Sequence, residues 1–334
     1  MIRKLLKIFK IFVLSLMALV VIAFFVFYRF DLELTDLEET YFTESSQYKT
    51  LTISSLENQD LDIMIHYQEV GQAGDPVIVL LHGAFASSHT FLPWAEKLKD
   101  SGYRIIMIDL PYHGLSEGFS DHVTSIRRSA SVVKALLDSL SIDQVVIGGN
   151  SMGGGVSWYF TSVYHGFDGF EVKGLVLIDA VFPSMSGGRP SSSLFDLVSN
   201  EPYASVFSQM TPRFLLGAIL KGVYGSASVL ESETVDRYYD LLRRAGNRKA
   251  ILINTQESID TSSALSNLLS MDIPVLVMWG SEDSWIPVST VELFKTALQL
   301  SDEDIVIYSG LGHVPMEENP ELTFPDLLSF LNGL

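Results

Sequence analysis

Short runs of Val, Ile and Leu recur along the chain from VIVLL (77–81) onward. A run of this kind, apolar at every position, suits a strand covered on both faces. IIMID (105–109), VVIGG (145–149), LVLID (175–179), VLVMW (275–279) and IVIYS (305–309) have the same form, most of them separated by longer amphipathic stretches such as SIRRSASVVKALLDSL. That rhythm predicts a mainly parallel sheet with helices on both faces. Two further β-rich runs, YKTLTISSL and LDIMIHYQEV, come first. One interval breaks the alternation. Residues 183–272 contain helical patterns (TPRFLLGAILKGVY, SETVDRYYDLLRRAGNRKAILI) and no convincing buried strand, which reads as an inserted helical cap. SGGRPSSS (186–193) within it is turn-like, and no internal repeat is present.

The N-terminus is a different kind of segment. From Ile11 to Tyr28 the sequence reads IFVLSLMALVVIAFFVFY, eighteen residues with a single serine. As a helix it rises about 27 Å, close to the thickness of a bilayer core. It is apolar on every side rather than along one stripe, which suits a membrane span better than a core helix. MIRKLLKIFK before it is basic and DLELTDLEET after it is acidic, so the positive-inside bias leaves residues 1–30 as a cytoplasmic basic segment and anchor, with the rest outside the cytoplasm. The exit from the run, Phe27, Tyr28, Arg29 and Phe30, lacks the small-x-small pattern of a cleaved signal peptide. Residues 31–48 show no clear periodicity and read as a short linker to a domain over 49–334.

Residues 1–30 hold five basic side chains and no acid, which leaves seventeen basic against forty acidic residues beyond them, a net charge of −23. Such a surface repels phosphate backbones and argues against a nucleic-acid partner. The chain has no cysteine, so disulfides, thiolate metal sites and a cysteine nucleophile are all excluded.

Gly149, Asn150, Ser151, Met152 and Gly153 fit G-x-S-x-G, a pattern that is weak alone and gains force from its setting. The strand run QVVIGG ends at it and the helical GGGVSWYFTSVYH begins after it, giving a strand–turn–helix. So sharp a turn forces the serine toward positive φ, and Gly149 and Gly153 admit the neighbouring backbone. A serine hydroxyl needs a base, and the base an orienting carboxylate. Of the seven histidines, only His313 in SGLGHVPMEENP sits between a late strand and a terminal helix, at the sheet edge where Ser151 would open. Asp283 in WGSEDSWIP leaves the sheet at the same edge and is the expected acid; Glu282 is its neighbour and rival, and Asp179 at the end of LVLID is a second candidate. The oxyanion of acyl transfer would be met by the backbone N–H groups of Met152 and of Ala84, with Phe85 as the fallback for the second.

As a set, HGAFASSHTF, DLPYHGLS, GNSMGG, WGSEDSWIP and GLGHVPMEENP resemble the α/β-hydrolase superfamily in order and spacing, over about residues 50–334. Within it the chain looks most similar to lid-bearing esterases and lipases and to hydrolases that cleave carbon–carbon bonds in ring-fission products. The resemblance implies an α/β fold with an eight-stranded sheet, a helical cap, and no metal or organic cofactor. The anchor and the cap suit a small-molecule, apolar or lipid-like carboxylic ester as substrate; cleavage of a ring-fission-type diketone at a carbon–carbon bond and a non-catalytic ligand-binding module are the alternatives. Phe85, Trp285 and Trp158 are candidates to face the acyl pocket. His113 could line it, although a structural place is the simpler expectation, and His82 and Asp109 read as loop-holding residues.

Overall fold

The computed structural model describes residues 2–54, 60–183, 200, 202–253, 255–256 and 261–334. Eight strands, β1 (Ser46–Ser54), β2 (Asp60–Val70), β3 (Val77–Leu81), β4 (Arg104–Ile108), β5 (Gln144–Asn150), β6 (Glu171–Ile178), β7 (Val275–Gly280) and β8 (Ile305–Tyr308), form one sheet. Their order is β1-β2-β4-β3-β5-β6-β7-β8. Only β2 runs against its neighbours β1 and β4; all pairings from β4 to β8 are parallel. The carboxyl ends of the parallel strands therefore share one edge, where loops can converge on a site.

Alternation along the strands divides the core in two. Val79, Leu81, Ile106, Ile147, Leu177 and Trp279 point to one face. They pack there with residues of α4 (Ile126–Ser139), α5 (Met152–Tyr164), α10 (Thr261–Ser270) and α11 (Val291–Leu298). Ile78, Leu80, Met107, Val176 and Met278 point to the other, against α3 (Leu92–Asp100) and α13 (Pro320–Asn332). The Trp94 indole N–H of α3 donates to Thr323 Oγ1 of α13 at 3.2 Å and fixes the two helices to each other. Ser125 caps α4 by accepting from the N–H of Arg128, as its position before an amphipathic run suggests.

The cap is built from α6 (Tyr203–Phe207), α7 (Arg213–Val223), α8 (Ser232–Leu242) and α9 (Asn247–Ile253). Leu216 and Leu220 of α7 meet Val235, Tyr238 and Tyr239 of α8 in a small core that rests on Ala86 of the loop after β3. Its C-terminal limit differs from the expected 272: α10 belongs to the body, since Ala264 and Leu268 are buried in the same cluster as α5 and the sheet. The amphipathic pattern of α10 is short, and sequence does not say which surface it meets. The turn-like 186–193 lies outside the described residues.

Helix α1 (Ile2–Phe27) carries Arg3, Lys4, Lys7 and Lys10 in its first turns and is apolar beyond them: its most apolar window has a mean hydropathy of 2.8 and none of that window is buried. Among the described residues it is the one helix long and apolar enough to cross a membrane. The segment after it is not the plain linker expected over 31–48. Leu34–Tyr41 forms helix α2. Leu34, Leu37 and Tyr41 lie at i, i+3 and i+7 and make a stripe too short to stand out as periodicity. Leu37 is buried between Leu115 of the loop after β4 and Leu241 of the cap. Arg29 N–H donates to Gln209 O at 2.8 Å, Leu32 N–H to Arg243 O at 2.8 Å, and the buried Arg248 guanidinium holds both Arg29 O and the Asp31 carboxylate. The chain leaving α1 is thus stapled to the cap. Truncating Leu37 to Ala should cost about 2–5 kcal/mol of stability, as expected for a buried leucine, read as a lower denaturant midpoint without loss of the sheet's circular dichroism.

Candidate active site

Ser151 stands alone between β5 and α5 with φ 53° and ψ −117°. L-residues avoid this region, and such strain persists only where the surroundings over-determine it. Here the serine N–H donates to Ile178 O at 2.9 Å, while its carbonyl accepts from Val181 and Gly155, each at 3.0 Å. A Cβ at Gly153 would strike the Leu81 carbonyl, so only glycine lets α5 start this close to β3. The N-terminus of α5 lies directly beneath the serine and contributes positive potential.

His313, on the loop between β8 and α12 (Pro315–Glu318), has its Nδ1 2.7 Å from Asp283 Oδ2, both side chains buried. If Nδ1 carries the proton, it donates to that carboxylate and leaves Nε2 as an acceptor; Nε2 has no protein partner. Asp283 Oδ1 accepts from the N–H groups of Trp285 at 2.7 Å and Ile286 at 3.0 Å, which fixes the carboxylate's plane. Asn150 joins the two halves of the site: its Nδ2 donates to His313 O at 2.8 Å and to Ile178 O at 3.2 Å, one residue before Ser151. Glu282 faces elsewhere, accepting from Ser226 N–H and Oγ of the cap, both at 2.7 Å. Those two hydrogen bonds hold its carboxyl below the usual glutamate range.

Asp179, the second acid candidate, ends β6 in a positive-φ conformation (42°) and is fully buried. Its carboxyl lies within 4.8 Å of the donor atoms of both Asp283 and His313. Oδ1 accepts from Gly280 N–H at 3.0 Å, and Oδ2 has no partner. Burial first, and then the neighbouring Asp283, push its pKa well above the ordinary aspartate value. The geometry gives the histidine contact to Asp283 and leaves Asp179 beside the pair with one oxygen unpartnered.

The loop after β3 completes the arrangement. A Cβ at Gly83 would come within 2.7 Å of Asn150 Oδ1 and 3.0 Å of Ser151 Cβ, so this backbone passes directly over the elbow. Ala84 follows, and no backbone carbonyl among the described residues accepts its N–H. Met152 opens α5, where leading N–H groups have no partner one turn back. A cavity opens above, lined by Ala84, Phe85, Trp285 and His313 from the body and by Leu216, Ile219, Leu220, Val223 and Tyr238 from the cap. Phe85 meets Trp285 edge to face at 6.3 Å between centroids, and Trp285 lies 5.5 Å from the His313 ring.

Other candidates lie apart. Trp158 is fully buried with its N–H on Val181 O, and is core. His113 contacts Pro111 O through Nδ1 at 2.9 Å and is not among the cavity-lining residues. His82 has Nδ1 on Gly83 O at 2.8 Å and accepts from Leu110 N–H at 3.0 Å through Nε2; burial lowers its pKa to about 4, so it stays neutral and ties two loops. Asp109 accepts from Ser88 and Leu115 N–H groups. Burial opposes its ionisation, but His66 at 2.7 Å outweighs that and holds the carboxyl well below the usual range.

Sequence reasoning passed over the residues that hold the histidine loop. Glu318 accepts from the N–H groups of Gly312 and Val314, and from Gly225 N–H of the cap at 2.8 Å. His313 N–H donates to Val223 O at the end of α7, 2.8 Å away. The one signal in the sequence was an acid five residues after the histidine, in HVPMEE.

Residues 76–320 match the family described as alpha/beta hydrolase fold. The chain belongs to the α/β-hydrolase family. Relatives of this α/β-hydrolase include the 2-hydroxy-6-oxononadienedioate/2-hydroxy-6-oxononatrienedioate hydrolase 1 of Pseudomonas putida, 24% identical over 86% of this chain and 99% of the relative. Lipase 3 of Moraxella sp. (strain TA144) is 27% identical over 85% of this chain and 86% of its own length. Among solved structures, a membrane phospholipase A aligns over 100% of this chain and 99% of its own with a TM-score of 0.64 at 21% identity. A thermophilic esterase from Thermogutta terrifontis covers 86% of this chain and 98% of its own, with a TM-score of 0.63 at 20% identity. This α/β-hydrolase is accordingly a hydrolase, of the fold that its sheet order displays.

The raised pKa of Asp179 means that the folded state holds a proton that the unfolded chain releases near the ordinary aspartate value. Its contribution to stability is complete below that value and is lost as pH climbs through the raised one. Asp179→Asn keeps the shape and removes the titration. Melting temperatures taken from about pH 4 to about pH 9 should show the parent losing stability relative to this variant as pH rises.

Proposed function

We propose that the protein is a membrane-anchored serine hydrolase of carboxylic esters, with Ser151 as nucleophile, His313 as base and Asp283 as its orienting acid. The observation that carries this reading is the strained Ser151 elbow, tied through Asn150 to a histidine whose Nδ1 meets Asp283 and whose Nε2 is unpartnered. Nε2 takes the hydroxyl proton as Oγ attacks the ester carbonyl. The oxyanion is met by the N–H groups of Ala84 and Met152. Collapse of the tetrahedral intermediate expels the alcohol, which receives the proton from His313. A water molecule, deprotonated by the same histidine, then attacks the acyl-enzyme and releases the acid. Phe85 and Trp285 form part of the acyl-binding wall.

The cavity favours an apolar ester over the carbon–carbon substrates of some relatives. The name of the Pseudomonas putida relative specifies a dioate, a substrate with two carboxylates. Burying such charges requires cationic partners. Among the described residues that line this cavity there is neither lysine nor arginine, and Leu216, Ile219, Leu220, Val223 and Trp285 present hydrocarbon.

Anchoring is supported by residues 11–27 of α1, unburied and apolar, with the basic Arg3, Lys4, Lys7 and Lys10 in the turns before them. The reading places the N-terminus in the cytoplasm and the catalytic domain on the far side of the membrane. The ordered bonds of Arg29, Asp31 and Leu32 to the cap favour an intact chain over cleavage at the exit of the apolar run.

A fluorophosphonate probe should label the folded protein and fail to label Ser151→Ala. Asp283→Asn should lower kcat by about 10⁴-fold, as loss of an orienting acid does in other triads, while Asp179→Asn should cost far less. Equal losses in the two variants would remove Asp283 from the assigned role. On a series of p-nitrophenyl esters, kcat/KM should rise with acyl length, and a dicarboxylate diketone should be turned over poorly.

A further inference from the structure

Helix α7 is apolar on both sides. Leu216, Leu220 and Val223 face inward, while Phe214 (65% exposed), Leu215 (47%) and Ile219 (43%) face solvent. Helix α6, immediately before it, exposes Tyr203, Val206 and Phe207. Six large apolar side chains are thus exposed on two consecutive cap helices, more than a surface with no partner would be expected to show. The position of α1 indicates which. Phe27, its last residue, packs against Phe214 with ring centroids 5.9 Å apart. Arg29 N–H bonds Gln209 O, between α6 and α7, and Arg243 donates to Phe30 O at 2.9 Å and 3.1 Å. No free tether separates the apolar helix from the patch.

Resting on the anchored ester-hydrolase reading, we propose that the α6–α7 face lies in the interface of the bilayer that α1 spans, and that the cavity draws its acyl substrate, a membrane lipid, from there. Ile219 connects the two surfaces, being exposed on this face and also lining the cavity above His313. The domain's net −23 opposes adsorption to anionic headgroups, so contact with the bilayer is made by hydrocarbon side chains and held by the anchor. A lipid ester entering between Ile219 and Trp285 reaches the Ala84, Asn150 and His313 wall of the cavity without crossing water. Tyr238, whose hydroxyl is held by Glu317 at 2.7 Å, closes the opposite wall.

Because the chain has no cysteine, single labelling sites can be introduced cleanly. Full-length protein carrying Leu215→Cys, labelled with an environment-sensitive nitrobenzoxadiazole dye, is placed in phosphatidylcholine–phosphatidylglycerol vesicles that contain phosphatidylcholine spin-labelled near the headgroup. Lys173→Cys, on β6 near the opposite sheet edge, serves as the control. The Leu215 label should lose at least about half its fluorescence and the Lys173 label less than about a tenth, as expected for a shallowly inserted helix face. In the double variant Phe214→Ser, Leu215→Ser, hydrolysis of vesicle phospholipid should fall at least about tenfold while turnover of p-nitrophenyl butyrate in detergent stays within about twofold. An unquenched Leu215 label, or an unchanged lipid rate in the double variant, overturns the membrane-facing cap in an enzyme that is anchored and active on the soluble ester. Loss of residues 1–28 from the purified protein, read by intact mass, overturns it together with the anchor. Failure of the parent to hydrolyse any ester or take the fluorophosphonate overturns it together with the hydrolase reading.

Discussion

Asn150 is the residue on which the geometry of the site turns. The end of β6 and a histidine loop 163 positions after Asn150 meet on its side-chain amide, which donates to Ile178 O and to His313 O. Both acceptors are backbone carbonyls, so the contact is indifferent to side-chain identity and sensitive only to where the two chains run. With Ser151 N–H also bound to Ile178 O, the elbow is attached to β6 twice in succession. The strain at φ 53° is therefore carried by neighbouring strands rather than by the turn itself. Each of these bonds is buried, where an unmade one costs more than in water.

The two aspartates beside His313 show how burial divides similar groups. Asp283 has Nδ1 of the histidine and two backbone N–H groups on its oxygens. Asp179 has one N–H donor, one bare oxygen and the other carboxylate nearby. A charge is tolerated in a protein interior in proportion to the donors that face it, and burial with so few donors pushes the Asp179 pKa up. The neighbouring Asp283 carboxyl adds to that rise.

Much of this was legible in the sequence because it is local. A run such as VIVLL can only be covered on both faces, and the succession of such runs set the sheet and placed Ser151, Asp283 and His313 at one edge. What escaped was decided by contacts between distant segments. LTDLEETY has too few turns to show its stripe, and only Leu115 and Leu241 reveal why it is a helix. Thr261–Ser270 has a serine-rich surface and a short apolar face, which would suit cap or body equally until Ala264 and Leu268 are seen beside α5. Glu318 looks like an ordinary acidic residue of a helix start, and its work on Gly312, Val314 and Gly225 depends on a cap inserted some ninety residues earlier.

The same kind of bond joins α1 to the histidine loop. Arg248 grips Arg29 and Asp31 at the exit of α1, while the α7 end of the cap gives its Val223 carbonyl to His313 N–H. Between them lie only α7 and α8, packed on each other through Leu216, Leu220, Tyr238 and Tyr239. A cap held at both ends cannot swing as a free lid without breaking buried hydrogen bonds. Ile219 of α7 and Trp285 of the loop after β7 both border the cavity. The end of α7 is one hydrogen bond from the histidine loop, through the Val223 carbonyl that accepts from His313 N–H.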